Sequence, residues 1–253
     1  MRKVLQLMPK LKLYFIPHAG GSAMGYMTIK RFLDTEYIEP IPLEPAGRGK
    51  RMKEPLFHDV KESAFDLFEQ IKKDVKENEY AFFGHSLGAL LAFELAHILQ
   101  QEGYPAPSHI FFSGRVQPGL PMSVDKVCHL TDEKFLDRFV QGKALPKELL
   151  DNQELLQMML PILRADVYMA EQYQSYGYPK LGCDISVFYG NEDIMVDADE
   201  MTKWAQVTTG KCSIHSFEGD HFYFNKVREA LGELISNTMI EKDRSSKGNG
   251  KNI

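Results

Sequence analysis

Cysteine is scarce in this chain of 253 residues, which contains only Cys128, Cys183 and Cys212. No two of them form a C-x-x-C pair, and a scattered set of three suits neither a disulfide framework nor a structural zinc site. We therefore expect three buried free thiols and no metal or other cofactor. Free thiols are typical of a reducing compartment, so we expect a cytoplasmic protein.

Long apolar runs and basic clusters are also missing. No stretch reaches the roughly 18 apolar residues of a membrane span, and residues 1–9 are too short for a secretory signal. The net charge is −5 and the basic residues form no stripe, which argues against a nucleic-acid partner. The G-x-G-x-x-G fingerprint of dinucleotide binding is absent as well. We expect a soluble monomer that binds neither membranes nor nucleic acid.

Short apolar runs alternate with longer segments of helical periodicity, which is typical of an α/β fold with a mostly parallel sheet. The predicted strands are residues 11–16, 37–43, 79–83, 108–114, 184–190 and 212–217. The predicted helices are residues 59–76, 87–101, 132–141, 147–159, 162–173 and 225–240, with Pro161 separating the fourth from the fifth. Prolines in the second strand indicate an edge or irregular position in the sheet.

The domain organisation follows from where the strand pattern stops. Residues 1–240 are predicted to form a single domain, interrupted at about 115–178 by an insertion in which no strand is evident. Residues 241–253 are polar up to the final Ile253, and we expect a disordered tail there.

Gly84-His85-Ser86-Leu87-Gly88 matches the motif G-x-S-x-G, between an apolar strand and an apolar helix. This strand–turn–helix setting is the one in which the motif forms a nucleophile elbow. The turn holds the serine at a helix N-terminus, where unpaired N–H groups favour developing negative charge. Ser86 is therefore the predicted nucleophile, and the alternative is a chance pentapeptide in a loop.

A serine hydroxyl needs a base to accept its proton at pH 7, and histidine titrates in the right range. The chain contains eight histidines. His221 is the candidate, because it follows the last predicted strand and precedes the final helix. That position agrees with the chain order of nucleophile, acid and histidine in hydrolases of this kind.

The acid should lie between these two residues, after a late strand. Asp193 follows the strand at 184–190 and could orient the imidazole of His221. Glu192, Asp197 and Asp199 are nearby rivals, and a turn-forming role for Asp193 is the alternative. An oxyanion hole should use the backbone N–H of Leu87 and that of Ala19, in the glycine-rich loop after the first strand.

Several motifs together resemble those of type II thioesterases, the stand-alone editing hydrolases of nonribosomal peptide and polyketide synthetases. The similarity extends from about residue 11 to residue 240 and includes one departure, Ala46 within the usual proline-glycine run. The motifs are Pro17-His18-Ala19-Gly20-Gly21-Ser22, Pro45-Ala46-Gly47-Arg48-Gly49-Lys50-Arg51, Gly84-His85-Ser86-Leu87-Gly88, Arg164-Ala165-Asp166, Gly190-Asn191-Glu192-Asp193 and Gly219-Asp220-His221-Phe222.

The resemblance implies an α/β-hydrolase fold with a helical lid at 115–178 and a triad of Ser86, Asp193 and His221. Ala19 and Leu87 would form the oxyanion hole. The implied substrate is an acyl or aminoacyl thioester on the 4′-phosphopantetheine arm of a carrier protein. Basic residues of the second motif and its neighbour (Arg48, Lys50, Arg51, Lys53) could dock an acidic carrier, or they could form a solvated loop.

Three other functions stay open. The chain could be an esterase that acts on free small esters, or a medium-chain acyl-carrier-protein hydrolase. It could also be a non-catalytic binding protein with a hydrolase fold, although the intact set of serine, aspartate and histidine argues against that.

Overall fold

A computed structural model describes residues 9–120, 124–141, 145, 151–175 and 177–249 of the chain. Its centre is a sheet of six strands in the order β2-β1-β3-β4-β5-β6, and every neighbouring pair is parallel. The strands are β1 (Leu11–Ile16), β2 (Ile38–Pro42), β3 (Tyr80–His85), β4 (His109–Ser113), β5 (Asp184–Gly190) and β6 (Cys212–Phe217).

Helices connect these strands and cover both faces of the sheet. The α-helices are α1 (Val60–Ile71), α2 (Asp74–Glu77), α3 (Leu87–Gln101), α4 (Asp132–Gln141), α5 (Gln153–Gln172), α6 (Ala198–Thr202) and α7 (Arg228–Asn249). Short 3₁₀ helices lie at Ala23–Phe32, Gly49–Arg51, Lys203–Val207 and Tyr223–Asn225. Helices α4 and α5 belong to the insertion between β4 and β5.

The core has two layers because strand side chains alternate between faces. Phe82 of β3 packs into the cluster formed with α1 and α3, whereas its neighbour Phe83 packs into the cluster formed with Ala23–Phe32 and α7. All six residues of β3 are buried. A strand buried on both faces reads as a continuous apolar run, which is why this strand is evident in the sequence.

The predicted mostly parallel sheet flanked by helices is confirmed, and the proline-containing β2 lies at one edge of it. Two helix predictions were wrong in detail. The predicted helix at 59–76 is divided into α1 and α2. The helices predicted at 147–159 and 162–173 form one helix, α5, with Pro161 inside it, except that residues 147–150 lie outside the described residues. Packing of the turn after the proline against the core offsets the lost backbone hydrogen bond.

The C-terminal segment and the cysteines also differ from expectation. Helix α7 continues to Asn249, into the segment predicted to be disordered, and Lys242 Nζ lies 2.9 Å from Asp184 Oδ2. Strong helix formers such as Glu241 and Lys242 favour this extension, and residues 250–253 lie outside the described residues. The three cysteines are free, but only Cys183 is buried.

None of the helices in the described ranges combines the length and apolar character needed to cross a bilayer.

Candidate active site

The predicted site residues meet at the carboxyl edge of the sheet. Ser86 follows β3, Asp193 follows β5 and His221 follows β6, and these strands are close neighbours in the sheet. Ligands of open α/β sheets bind at this edge, because the loops after parallel strands converge there. The three side chains come from positions that are far apart in sequence.

Ser86 occupies a strained turn between β3 and α3. Its φ of 55° and ψ of −114° make it the only non-glycine residue of the described chain with a positive φ, a conformation that costs about 1–3 kcal/mol. A Cβ atom at Gly84 would collide with the backbone of Gly88. A Cβ atom at Gly88 would collide with the carbonyl of Ile16 and lie 2.8 Å from that of Pro17. The glycines on both sides therefore permit the turn.

A hydrogen bond of 2.7 Å joins His221 Nδ1 to Asp193 Oδ2. The side chain of Asp193 is fully buried, and that of His221 is 8% exposed. The second carboxylate oxygen of Asp193 accepts from the N–H of Met195 at 2.9 Å. Both oxygens are thus held, which fixes the carboxylate against the imidazole.

The loops that carry the two residues are tied to each other by backbone groups. Asn191 N–H donates to Phe217 O at 2.8 Å, and Glu192 N–H donates to Gly219 O at 2.9 Å. Gly219 N–H in turn donates to the side chain of Asn191 at 3.1 Å. These bonds fix the position of the loop after β5 relative to the loop after β6.

The rival acids have other surroundings. Glu192 and Asp199 are exposed. Asp197 caps α6 by accepting from the N–H groups of Asp199 and Glu200. Asp220 accepts from the N–H of Phe222. Of these carboxylates, only that of Asp193 contacts the ring of His221.

The imidazole of His221 lies beside the elbow. Its ring centroid is 4.8 Å from that of His85, the residue before Ser86. A Cβ atom at Gly114 would lie 3.2 Å from His221 Cε1, and the preceding residue Ser113 accepts from the Ser86 N–H at 2.8 Å. The histidine and the serine therefore contact adjacent residues at the end of β4, Gly114 and Ser113.

Comparison with known proteins identifies the family. A family model described as "Thioesterase domain" matches residues 11–239. The chain belongs to the thioesterase family. The structure of ClbQ, from the colibactin nonribosomal peptide/polyketide pathway, superposes with a TM-score of 0.87 and 33% identity, covering 93% of this chain and 99% of ClbQ. The type II thioesterase BorB, from the borrelidin cluster, gives a TM-score of 0.81 and 31% identity, over 92% and 95% of the two chains.

A curated relative with another name is also similar. Linear gramicidin dehydrogenase LgrE of Brevibacillus parabrevis is 35% identical over 230 residues, which cover 90% of this chain and 87% of LgrE. The resemblance of this thioesterase to type II thioesterases is confirmed, and so are the α/β-hydrolase fold class and the assignment as a hydrolase that acts on thioesters.

Two further histidines of this thioesterase lie close to the site, and sequence reasoning assigned neither of them a role. His85 is fully buried, and a 2.8 Å hydrogen bond joins its Nδ1 to Ser113 Oγ. A 2.6 Å bond joins His18 Nδ1 to the hydroxyl of Tyr26. Burial is the main cause that lowers the pKa of His18 to about 3 and holds the pKa of His85 well below its usual range. Both rings are therefore neutral at pH 7.

The two predicted oxyanion donors are backbone groups of neighbouring segments. Leu87 is the first residue of α3, and the first N–H groups of a helix have no acceptor within it. In the loop after β1, Gly20 N–H donates to Asp166 Oδ2 at 2.7 Å and Gly21 N–H donates to His18 O at 2.9 Å. Among the described residues, no hydrogen bond engages the N–H of Ala19.

Arg48 lies inside the molecule, so the suggestion that it docks a carrier protein was wrong. It is 5% exposed, and its guanidinium forms a bidentate ion pair with the fully buried Asp166, at 2.6 and 2.8 Å. Arg51 is paired with Asp66 and Glu54. Only Lys50 and Lys53 of the four basic residues are exposed.

No group of three or more histidine, cysteine, aspartate or glutamate side chains is arranged to hold a metal ion in the part of this thioesterase that the structure describes.

Proposed function

We propose that this thioesterase hydrolyses acyl or aminoacyl thioesters carried on the 4′-phosphopantetheine arm of carrier proteins in the cytoplasm, and so regenerates mis-primed synthetases. The observation that carries the proposal is the buried 2.7 Å hydrogen bond between Asp193 and His221 beside the strained Ser86. The names of ClbQ and BorB, which link them to biosynthetic pathways of this kind, support it.

In the proposed mechanism Ser86 Oγ attacks the thioester carbonyl and His221 Nε2 accepts the hydroxyl proton. Asp193 accepts a hydrogen bond from Nδ1–H, which fixes the tautomer and stabilises the imidazolium. The tetrahedral oxyanion is bound by the N–H groups of Leu87 and Ala19, each of which supplies about 3 kcal/mol in comparable enzymes.

Collapse of this intermediate breaks the carbon–sulfur bond, and the departing carrier thiolate takes the proton from His221, which leaves a neutral imidazole and an acyl group on Ser86. A water molecule then attacks the acyl-enzyme while His221 takes one of its protons, and a second collapse returns the serine and releases the acid. The neutral state of His18 and His85 keeps further positive charge away from the imidazolium that forms on His221 in both steps.

The helices α4 and α5 form the proposed lid over the acyl group. Ala19 packs against the small apolar cluster of these helices, which contains Phe135, Leu136, Leu163 and Val167. The lid therefore contacts the loop that carries a proposed oxyanion donor. A substrate acyl chain lying under the lid would meet mostly apolar side chains.

The test is hydrolysis of carrier proteins loaded with acetyl, aminoacyl and longer acyl groups. We expect Ser86→Ala to lower turnover at least about 10³-fold while the protein stays folded. Ser108→Ala is the matched control, because Ser108 lies before β4 at the opposite edge of the sheet and bonds to Glu79; it should retain full activity. A Ser86→Ala variant with more than a few per cent of wild-type turnover would contradict the proposal.

The same assay separates the alternatives. Free small esters hydrolysed much faster than carrier-bound thioesters would favour an esterase, and a marked preference for medium-length chains would favour a medium-chain acyl-carrier-protein hydrolase. A fluorophosphonate that fails to label Ser86 would favour a non-catalytic protein. The name of LgrE suggests a dehydrogenase, but this sequence lacks the dinucleotide fingerprint that such an activity would use.

A further inference from the structure

Three residues that the proposed mechanism leaves without a role meet at one point. Gly20 belongs to the loop after β1, Arg48 to the loop after β2, and Asp166 to the middle of lid helix α5. Asp166 Oδ2 accepts from the N–H of Gly20 at 2.7 Å and from Arg48 Nη1 at 2.6 Å. Asp166 Oδ1 accepts from Arg48 Nη2 at 2.8 Å.

The guanidinium also reaches the same loop directly. Arg48 Nη1 lies 3.4 Å from the carbonyl oxygen of Gly21, and Nε lies 3.3 Å from that of Ala46. Helix α5 makes an apolar contact here as well, since a Cβ atom at Gly20 would lie 2.9 Å from Leu163 Cδ1. The loop is therefore enclosed by the helix on one side and the arginine on the other.

The burial of this ion pair points to a role beyond stability. The side chains of Arg48 and Asp166 are only 6% and 0% exposed. Removing two charges from water costs about as much free energy as their attraction returns, so a buried pair is a poor source of stability. It does fix geometry, because the planar guanidinium and the carboxylate match in only one orientation.

We propose that Arg48 and Asp166 are positioning residues that hold the Ala19 N–H where it can stabilise the oxyanion. This inference rests on the proposed function. Ala19 lies between His18 and Gly20 in the chain. The ring of His18 is hydrogen-bonded to the hydroxyl of Tyr26, and the N–H of Gly20 donates a hydrogen bond to Asp166. Because Asp166 belongs to α5, the oxyanion donor is in place only while this lid helix is seated.

The first test is Asp166→Asn. Misplacing one oxyanion donor should lower kcat by about 10- to 100-fold, while binding of a non-hydrolysable thioether analogue of the substrate changes less than about threefold. A trifluoromethyl ketone, whose adduct with serine carries an oxyanion, should lose affinity by the same factor as kcat. Equal losses for both ligands would contradict a positioning role and indicate general damage to the site.

The matched control is Asp132→Asn. Asp132 pairs with Arg164, two residues before Asp166 on the same helix, through a 3.0 Å bond from Arg164 Nε. Its side chain is 68% exposed. This variant makes the same chemical change in another ion pair of the lid, and kcat should stay within about twofold of the wild type.

A second variant guards against misfolding, because Asp166→Asn leaves the buried Arg48 without a counter-charge. Arg48→Met combined with Asp166→Leu removes both charges and keeps the volume apolar. Such replacements often preserve stability. The folded double variant should still show the kcat loss, since nothing holds the Gly20 N–H. Arg48→Lys, which retains the charge, should keep more activity than the double variant. A folded double variant with wild-type kcat would overturn the inference.

Fluorophosphonate labelling of Ser86 separates this inference from the proposed function, because the phosphoryl oxygen of the probe uses the oxyanion hole without a carrier substrate. Asp166→Asn should slow labelling by about 10-fold or more. If the wild type is labelled but hydrolyses no carrier thioester, only the proposed substrate fails. Unchanged labelling of Asp166→Asn would overturn the inference alone.

Discussion

The central sheet of this protein and its proposed lid differ in how their apolar side chains are packed. The strands β3 and β4 are buried along their whole length, between two large apolar clusters. Among the described residues, the cluster that helices α4 and α5 share contains four buried residues. Helix α5 also exposes large apolar side chains, including Met158 at 52% and Tyr168 at 45%.

This difference in packing suits two different tasks: the sheet places the site residues, and the proposed lid opens. Ser86 and Asp193 follow the buried strands β3 and β5. His221 follows the more exposed edge strand β6 and is held by its hydrogen bond to Asp193, so the geometry of all three residues depends on the sheet. In the described part of the chain, the apolar cluster of the proposed lid is much smaller than the two clusters of the sheet, so the lid is expected to open at a lower free energy than the whole domain. The lid contacts the loop after β1, which belongs to the sheet region, through Asp166 and Leu163.

The largest expected effect is in the sheet. Phe112 of β4 is fully buried and stacks on Trp204 at a centroid distance of 4.0 Å. Phe112→Ala should lower the free energy of unfolding by about 3–5 kcal/mol, because a large cavity remains in a core that cannot collapse. Urea unfolding followed by fluorescence measures it, and a loss below about 1 kcal/mol would contradict the rigid-sheet interpretation.

The same substitution in the lid should cost less. Phe135 of α4 is also fully buried, but the loss that Phe135→Ala causes in global stability cannot exceed the free energy of lid opening. We expect at most about half the loss seen for Phe112→Ala. Hydrogen exchange should show faster exchange in α4 and little change in β3. Equal losses for both variants would show that the sheet and the lid unfold as one unit.

Acid should weaken the sheet through His109 of β4. This histidine is buried, bonded to Ser186 at 2.9 Å, and burial lowers its pKa to about 3. The unfolded chain binds a proton below about pH 6.5 that the folded chain does not. The contribution of His109 to the free energy of unfolding is therefore fully present above pH 6.5 and is lost as the pH falls towards 3.

His109→Asn tests this difference. Between pH 7 and pH 5 the variant should lose about 2 kcal/mol less stability than the wild type. The control variant is His129→Asn, because His129 is exposed in the folded chain as well as in the unfolded chain. It should lose as much stability as the wild type. Denaturant titrations at the two pH values measure both variants, and an identical loss in His109→Asn and the wild type would contradict the prediction.

The smallest effect is expected at the rim of the site. Ile194 follows Asp193 directly but is 75% exposed. Ile194→Ser should change the free energy of unfolding by less than about 0.5 kcal/mol and kcat by less than twofold. Thermal denaturation and the carrier assay check this. A large loss of activity would contradict the prediction. It would mean that the exposed Ile194 contributes to catalysis, as the buried residues of the site are proposed to do.

The features that sequence reasoning found are local or follow from chain order. The apolar run before Gly84-His85-Ser86-Leu87-Gly88 indicates β3 and the elbow because strand and turn are adjacent in the chain. Asp193 and His221 were proposed from their positions after late strands, and the structure places them 2.7 Å apart. Their catalytic roles stay predictions.

The missed features depend on contacts between distant residues. Arg48 and Asp166 are 118 positions apart, and an arginine in a polar loop looks solvated until the fold buries it. His85 gives no catalytic signal in the sequence beyond its place next to Ser86, yet its ring packs against that of His221. Pro161 suggested a helix boundary, but tertiary packing of α5 overrides that local preference.

The missing side chain at Gly88 has a consequence for how this protein can diversify. It allows the start of α3 to rest on the backbone of Ile16 and Pro17, so the two segments with the proposed oxyanion donors touch each other before any ligand arrives. Even one methyl group there would push them apart. We expect evolution to adjust acyl preference through substitutions in helices α4 and α5 of the proposed lid, while the contact of Gly88 with Ile16 and Pro17 stays unchanged.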